Sequence, residues 1–315
     1  MAVRGGHVVE VFPASSSKWA QPLNAVERAR LLHAAESVGR IETRQGTDAT
    51  LNGTGFVVAQ GVIATNCHVL REIAQQSAGG AWALKPGLLE IDFSDSSMHE
   101  PVHEYTIQSI AGYPESQFLD VALLRVAPTS KTGGRPLPGP LPVTRTIIQR
   151  QWQTDQLLID VIGYPDLDNL VGDQMTQNMF RRVRESGDYA KLLSPGAVTG
   201  VDTHGRLDFL NHVASTHPGE SGAPVVDRET GAVVGIHYCC SSTDVPQSMS
   251  PLACSSQLLS DRDNNEALSS WTVVADSVLG PLLKDVAAGS LFFTRPAGRP
   301  ASRGGEASTR RQALP

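Results

Sequence analysis

"NGTGFVVAQGVIATNCHVL", residues 52 to 70, contains two short apolar runs, Phe56 to Ala59 and Val62 to Ala64, separated by Gln60-Gly61. Two apolar runs around a two-residue, glycine-containing break read as a β-hairpin, because glycine accepts the backbone angles of the tight turn. The second run delivers His68 at a strand end, inside Thr-Asn-x-His-Val and after Gly-Thr-Gly-Phe. Similar short apolar runs, punctuated by Gly and Pro, recur from Val38 to His237, and helical periodicity is sparse. That pattern predicts an all-β fold built from many short strands.

A histidine poised at a strand end invites a search for a nucleophile and an orienting acid. "ASTHPGESGAPVV", residues 214 to 226, surrounds Ser221 with glycines and then turns apolar. A nucleophilic serine needs a sharp turn that exposes its hydroxyl and lets backbone N–H groups point at a developing oxyanion. Gly219 leaves the approach open, Gly222 tolerates unusual backbone angles, and Pro224 ends the turn before Val225-Val226. "QFLDVALLRV", residues 117 to 126, places one carboxylate, Asp120, inside an otherwise apolar strand. An ionised carboxylate there is tolerable only with hydrogen-bond partners such as a histidine N–H.

The order His68, Asp120, Ser221, with Gly-Thr-Gly-Phe, Thr-Asn-Cys-His-Val, Asp-Val-Ala-Leu-Leu, Gly-Glu-Ser-Gly-Ala-Pro and Val-Gly-Ile-His, resembles the trypsin-like (chymotrypsin-fold) serine proteases. The resemblance spans about residues 38 to 285 and looks closest to bacterial trypsin-like peptidases and glutamyl endopeptidases. It implies two six-stranded antiparallel β-barrels of chymotrypsin type, with a short N-terminal helix and a C-terminal helix. It also implies a serine endopeptidase in which Ser221 attacks, His68 moves the proton, Asp120 orients the imidazole, and the N–H groups of Gly219 and Ser221 form the oxyanion hole. The strand "AVVGIHY", residues 232 to 238, is expected beside the bound peptide, with Tyr238 in the substrate site. In the glutamyl endopeptidases a threonine and the histidine of Gly-Ile-His hold the substrate's glutamate carboxylate; Thr216 and His237 stand at those positions. Ser215 occupies the place of the trypsin pocket aspartate, so nothing there attracts lysine or arginine.

Two departures from the family pattern matter. Glu220 stands where animal trypsins carry the aspartate that pairs with a newly released Ile-Val-Gly-Gly terminus, and no such tetrapeptide occurs. Cys240 replaces a glycine whose backbone normally faces the substrate, so its side chain is expected to narrow the pocket.

Composition bounds the setting. The 315 residues accommodate a two-barrel protease domain with extensions. A net charge of −6 gives no reason to expect nucleic-acid binding, and no apolar run approaches a membrane span. The first 23 residues lack the apolar core of a secretory signal and only four cysteines occur, so a cytoplasmic, reduced protein is expected. Cys239, Cys240 and Cys254 with His237 lack a C-x-x-C spacing, so neither metal nor cofactor is expected. The expected partner is a protein or peptide substrate; analogy with intracellular bacterial relatives adds an operon-encoded protein target or regulator. An inert, protease-like peptide-binding scaffold is the alternative, against which the complete His68, Asp120 and Ser221 set argues.

Along the chain the expected organisation is an N-terminal extension at 1–37, a first barrel at 38–128, an inter-barrel linker at 129–155, a second barrel with the C-terminal helix at 156–289, and a disordered basic tail at 290–315. "NAVERARLLHAAESV", residues 24 to 38, predicts a helix with Asn24 and Glu27 as a capping box and Val26, Ala29, Leu32 and Ala35 on one stripe. The proline-rich 128–144 reads as an extended connector.

Overall fold

The computed structural model describes residues 1–4, 6–9, 23–46, 48–77, 81–95, 103–113, 120–143, 157–166, 191–204, 207–212, 214, 216–240 and 270–274. The expected C-terminal helix and the basic tail lie outside these residues.

Two short strands, β1 (Ala2–Arg4) and β2 (His7–Val9), precede helix α1 (Ala25–Glu36). Asn24 Oδ1 accepts the Val26 and Glu27 N–H groups, both at 2.9 Å, and Glu27 Oε2 accepts the Asn24 N–H at 2.9 Å. This reciprocal box satisfies orphan donors at the helix start. The buried face differs from the expected stripe: Leu31, Ala34 and Ala35 point inward, whereas Val26 is 57 % exposed. The helix is rotated because Leu31, Ala34 and Ala35, at i, i+3 and i+4, supply the side that fits the core.

The chain continues through β3 (Val38–Gln45), β4 (Asp48–Ala59), β5 (Val62–Thr65), helix α2 (Cys67–Ile73), the small pair β6 (Ala74–Gln76) and β7 (Trp82–Leu84), then β8 (Leu88–Asp92), β9 (Glu104–Gly112) and β10 (Ala122–Val126). Six of these close a barrel in the order β10-β5-β4-β3-β8-β9. The β4–β5 hairpin turns at Gln60-Gly61, with Gly61 at φ 70°.

Beyond the barrel come β11 (Leu158–Gly163), β12 (Lys191–His204), β13 (Leu207–His212), β14 (Pro224–Asp227), β15 (Val233–Cys240) and β16 (Ser270–Val274). These pair antiparallel in the order β11-β14-β15-β16-β13-β12, and β11 also pairs with β12, so the pairing runs round a ring. Strands β1 and β2 extend the sheet from β12. The molecule is therefore all-β with two helices among the described residues.

The alternation along β4, β5 and β10 explains their apolar runs Phe56–Val58, Val62–Ala64 and Ala122–Leu124. Val57, Ile63, Ala122 and Leu124 face the barrel interior with Ile41, Ile91 and Tyr105. Their neighbours Phe56, Val58, Val62, Ala64 and Leu123 face outward against Ile162, Leu193, Val226, Val233 and Ile236 of the second sheet and Leu31 of α1. Successive strand side chains point to opposite faces, and here both faces are covered. Each fully buried side chain of this size stabilises the fold by about 1.5–3 kcal/mol.

The segment after β10 is docked as well as extended. Leu141 N donates to Val57 O and Val233 N to Pro142 O, both bonds tying the connector to β4 and β15.

Another outward face of the barrel carries charges instead. On β3, Arg40 lies 2.5 Å from both Glu42 and Asp92 oxygens, and Arg44 contacts Glu90 and Glu104, which Lys131 also bridges. Arg40, Glu42, Asp92, Glu90 and Glu104 are all buried. Tyr164, at the end of β11, covers this ladder: the Arg40 guanidinium sits 5.9 Å and the Lys191 ammonium 5.6 Å from its ring centroid, a favourable placement of cations over a π-face. Lys191 itself is satisfied by Asp95 at 3.1 Å and by the Ala35 and Phe93 carbonyls.

Candidate active site

Strand register brings the first two candidate residues together. Ala122 of β10 pairs with Thr65 of β5, so the residues just before β10 meet those just after β5. Asn66 Nδ2 donates to Asp120 O at 2.7 Å, Cys67 Sγ to Val121 O at 2.9 Å, and His68 N to Asp120 Oδ1 at 2.9 Å. His68 Nδ1 then meets Asp120 Oδ2 at 2.5 Å. Three consecutive residues thus grip the Asp120-Val121 segment. A carboxylate only accepts, so Nδ1 carries the proton of that bond and Nε2 is left with the lone pair.

Two local expectations need correction. Asp120 does not sit inside an apolar strand; it precedes β10, which begins at Ala122, and is 24 % exposed. The physical reason is hydrogen bonding: within the strand its carboxylate would lie among side chains without donors, whereas at the strand's edge it reaches two N–H groups of His68. His68, likewise, lies in the first turn of α2 rather than on β5. Cys67 is buried among apolar residues, which pushes its thiol up to about 12, so it is a packed hydrophobe and not a nucleophile.

Ser221 is fastened to β4, the other neighbour of β5, through Thr54. Thr54 N donates to Ser221 O at 2.8 Å, Thr54 Oγ1 donates to Gly219 O at 2.9 Å and accepts Tyr164 N at 3.1 Å, and Thr54 O accepts the Thr65 hydroxyl at 2.7 Å. The turn thus leans on the strands that lead to His68. Gly219 and Gly222 have φ of +91° and +89°. A Cβ on Gly222 would lie 2.1 Å from Thr54 O, and one on Gly219 2.6 Å from Tyr164 O, so only glycine fits either position. With both flanking carbonyls engaged, the N–H groups of Gly219 and Ser221 have no acceptor among the described residues. On the other side, Gly222 N donates to His237 O and His237 N to Ala223 O, both at 2.9 Å, which joins the turn to β15.

Of the expected specificity residues, Thr216 and His237 are buried and Tyr238 is half-buried against the core. Ser215 lies outside the described residues; Cys240 is described by its backbone, which pairs with Ser270. The sequence reading missed His212. Its ring centroid lies 5.5 Å from that of His237, its Nδ1 accepts Ala214 N at 3.3 Å, and its Nε2 is buried. Burial, and then the neighbouring His237, hold the His212 ring well below the usual imidazole range, so it stays neutral. Nothing in its local sequence separates it from the other eight histidines.

The family of trypsin-like peptidase domains matches residues 53–236, from the Gly53-Thr54-Gly55 strand to Ile236 of β15. The chain belongs to this family. A protein of Lysobacter enzymogenes named "Probable serine protease" is 28 % identical over 235 residues, covering 68 % of this chain and 59 % of the relative. The chain thus spans about three fifths of that relative's length. Among solved structures, the active form of the Rv3671c protease from M. tuberculosis is 18 % identical with a TM-score of 0.47, covering 88 % of this chain and 93 % of that one. A serine endoprotease from Yersinia pestis, also 18 % identical with a TM-score of 0.47, covers 84 % and 68 %. Among the described residues of this trypsin-like chain, no helix is long and apolar enough to cross a membrane.

Proposed function

We propose that the chain is a serine endopeptidase acting through an acyl-enzyme. The observation that carries this reading is the His68 Nδ1 contact with Asp120 Oδ2 at 2.5 Å, in a barrel whose strand β4 also anchors the Ser221 turn through Thr54. Ser221 Oγ attacks the substrate carbonyl while His68 Nε2 takes its proton. Asp120 holds the imidazole and stabilises the imidazolium that forms. The N–H groups of Gly219 and Ser221 receive the oxyanion; collapse breaks the C–N bond, His68 returns the proton to the leaving amine, and water repeats the cycle on the ester. Covalent labelling of Ser221 by a fluorophosphonate, absent in Ser221→Ala and weakened in His68→Ala, is the expected result. A chain that does not react while folded overturns the reading.

The same reading extends to the residue before the scissile bond. Thr216 and His237, adjacent to the Ser221 turn and supported by the neutral His212, offer an O–H and an N–H to a carboxylate, and charge-assisted hydrogen bonds are about twice as strong as neutral ones. Glu is therefore preferred, Asp follows, and Gln is much poorer. A peptide panel varying only that residue tests the preference; equal rates for Glu and Gln would show that no carboxylate is read.

A further inference from the structure

The residue before the nucleophile, Glu220, is fully buried and makes no ion pair with a described side chain. Its Oε2 accepts the His217 N–H at 2.5 Å, bridging the base of the turn His217-Pro218-Gly219-Glu220, while Oε1 is buried without a partner. The Glu220 N–H returns to His217 O at 3.2 Å, so the loop is closed twice over the same two residues. Below it, β11 presents Gly163, where even a Cβ would come within 3.1 Å of Glu220 Cγ and 3.2 Å of Ala223. The carboxyl is therefore held in a space that fits it closely.

The groups facing this carboxyl are few. From its own loop, His217 has its imidazole pushed down to about 4 by burial, so it is neutral. From β11, Asp160 is engaged by Arg228 at 2.9 Å and the Tyr164 hydroxyl turns away to Ser94 O at 2.7 Å. From β1, the Met1 amino group adds an attractive charge but donates its hydrogen bond to Leu193 O at 2.9 Å. From β15, His237 approaches through its backbone bonds to Gly222 and Ala223. Burial dominates these influences and raises the Glu220 carboxyl to about 8.

We propose that Glu220 is the positioning residue of the Gly219–Ser221 turn, that it works as an uncharged carboxyl, and that its ionisation switches the peptidase off in alkaline solution. The inference rests on the reading of Ser221 as nucleophile. In the neutral form, Oε2 fixes the His217 N–H and with it the left-handed backbone at Gly219, which aims the oxyanion-binding N–H groups. Loss of the Oε1 proton to solvent leaves a buried negative charge directly beneath the place where the oxyanion forms. That charge repels the oxyanion, and its hydration requires the turn to open. The uncharged arrangement also dispenses with an activating N-terminal ion pair at this position.

The test combines a titration with kinetics. In Ser221→Ala protein labelled with ¹³C at the glutamate carboxyls, one resonance is expected to titrate near pH 8, with the His217 amide resonance following the same midpoint; Glu220→Gln removes that resonance. In the active protein, kcat falls on the alkaline side with that midpoint. Glu220→Ala lowers kcat at least tenfold with KM within twofold, and Glu220→Gln restores most of kcat while flattening the alkaline limb. Should the Gln variant fail to fold, the paired carboxyl and His217 titrations in the parent chain decide the matter. Titration of every glutamate below pH 6, or an alkaline limb unchanged in Glu220→Gln, overturns the proposal. Titration near pH 8 in a chain whose Ser221 never labels overturns the nucleophile reading instead.

Discussion

Thr54 and Ser221, one on a barrel strand and the other on the Gly219–Gly222 turn, are joined by a backbone hydrogen bond of 2.8 Å from Thr54 N to Ser221 O. The Thr54 hydroxyl adds the bond to Gly219 O, so both carbonyls flanking Glu220 are held by one residue. Thr54→Val keeps the shape and the backbone bond but loses the hydroxyl's two bonds, to Gly219 and from Tyr164. At about 1 kcal/mol each, kcat/KM should fall about tenfold or more. Thr54→Ser should retain most activity, and steady-state kinetics with one peptide separates the three proteins.

Asp120→Asn tests the tautomer argument. An amide that donates to Nδ1 favours the form with the proton on Nε2, which cannot accept from Ser221. Turnover should drop by about 10⁴-fold with KM little changed. Adding His68→Ala or Ser221→Ala should lower it little further, because residues acting as a unit combine far from additively. Additive losses across the double variants would contradict a shared mechanism.

Arg40→Met leaves the Asp92 and Glu42 carboxylates buried beside an apolar side chain. Breaking a buried pair on one side typically costs about 3–5 kcal/mol. Urea unfolding should reveal that loss, and replacing Asp92 and Glu42 by apolar residues in the same chain should recover part of it. A change under about 1 kcal/mol would mean that water reaches the ladder in solution.

The Glu220 carboxyl predicts how stability depends on pH. Its folded value, about 8, is above the ordinary 4.5, so between them the folded chain holds a proton that the unfolded chain has released. The contribution of this group to unfolding free energy therefore falls as pH rises through that window, by up to about 1.4 kcal/mol per unit. Glu220→Gln should gain stability relative to the parent between pH 5 and pH 8, measured by urea titration at both values. A constant difference would indicate that the carboxyl is already ionised.

Several features are legible in the sequence because their causes are local. Gly61 between two apolar runs is enough for the hairpin, and Asn24 with Glu27 three residues later is enough for the start of α1. The serine turn announced itself through Gly219 and Gly222, whose positive φ is a requirement of the turn itself. Other features were invisible because their causes are distant in the chain. Arg40, Glu42 and Arg44 alternate along β3 like the solvent face of an ordinary strand. They are buried because Asp92, Glu90 and Glu104 lie on neighbouring strands and Tyr164 arrives from β11. Asp120 was misplaced by two residues because its apolar flanks extend past the strand. In the sequence Thr54 is only part of the Gly-Thr-Gly-Phe motif; its role exists only once residue 219, 165 positions later, folds back onto it.

That separation orders events on the ribosome. His68 and Asp120 emerge early and can settle within the barrel, but the hydroxyl of Ser221 is synthesised some hundred residues later. It acquires its backbone anchor only when the late strands close over Phe56, Val58 and Leu123. A chain that ends before the late strands therefore holds His68 against Asp120 while Ser221 still lacks its anchor at Thr54. On the proposed reading, peptidase activity appears only once synthesis has passed the last of these contacts.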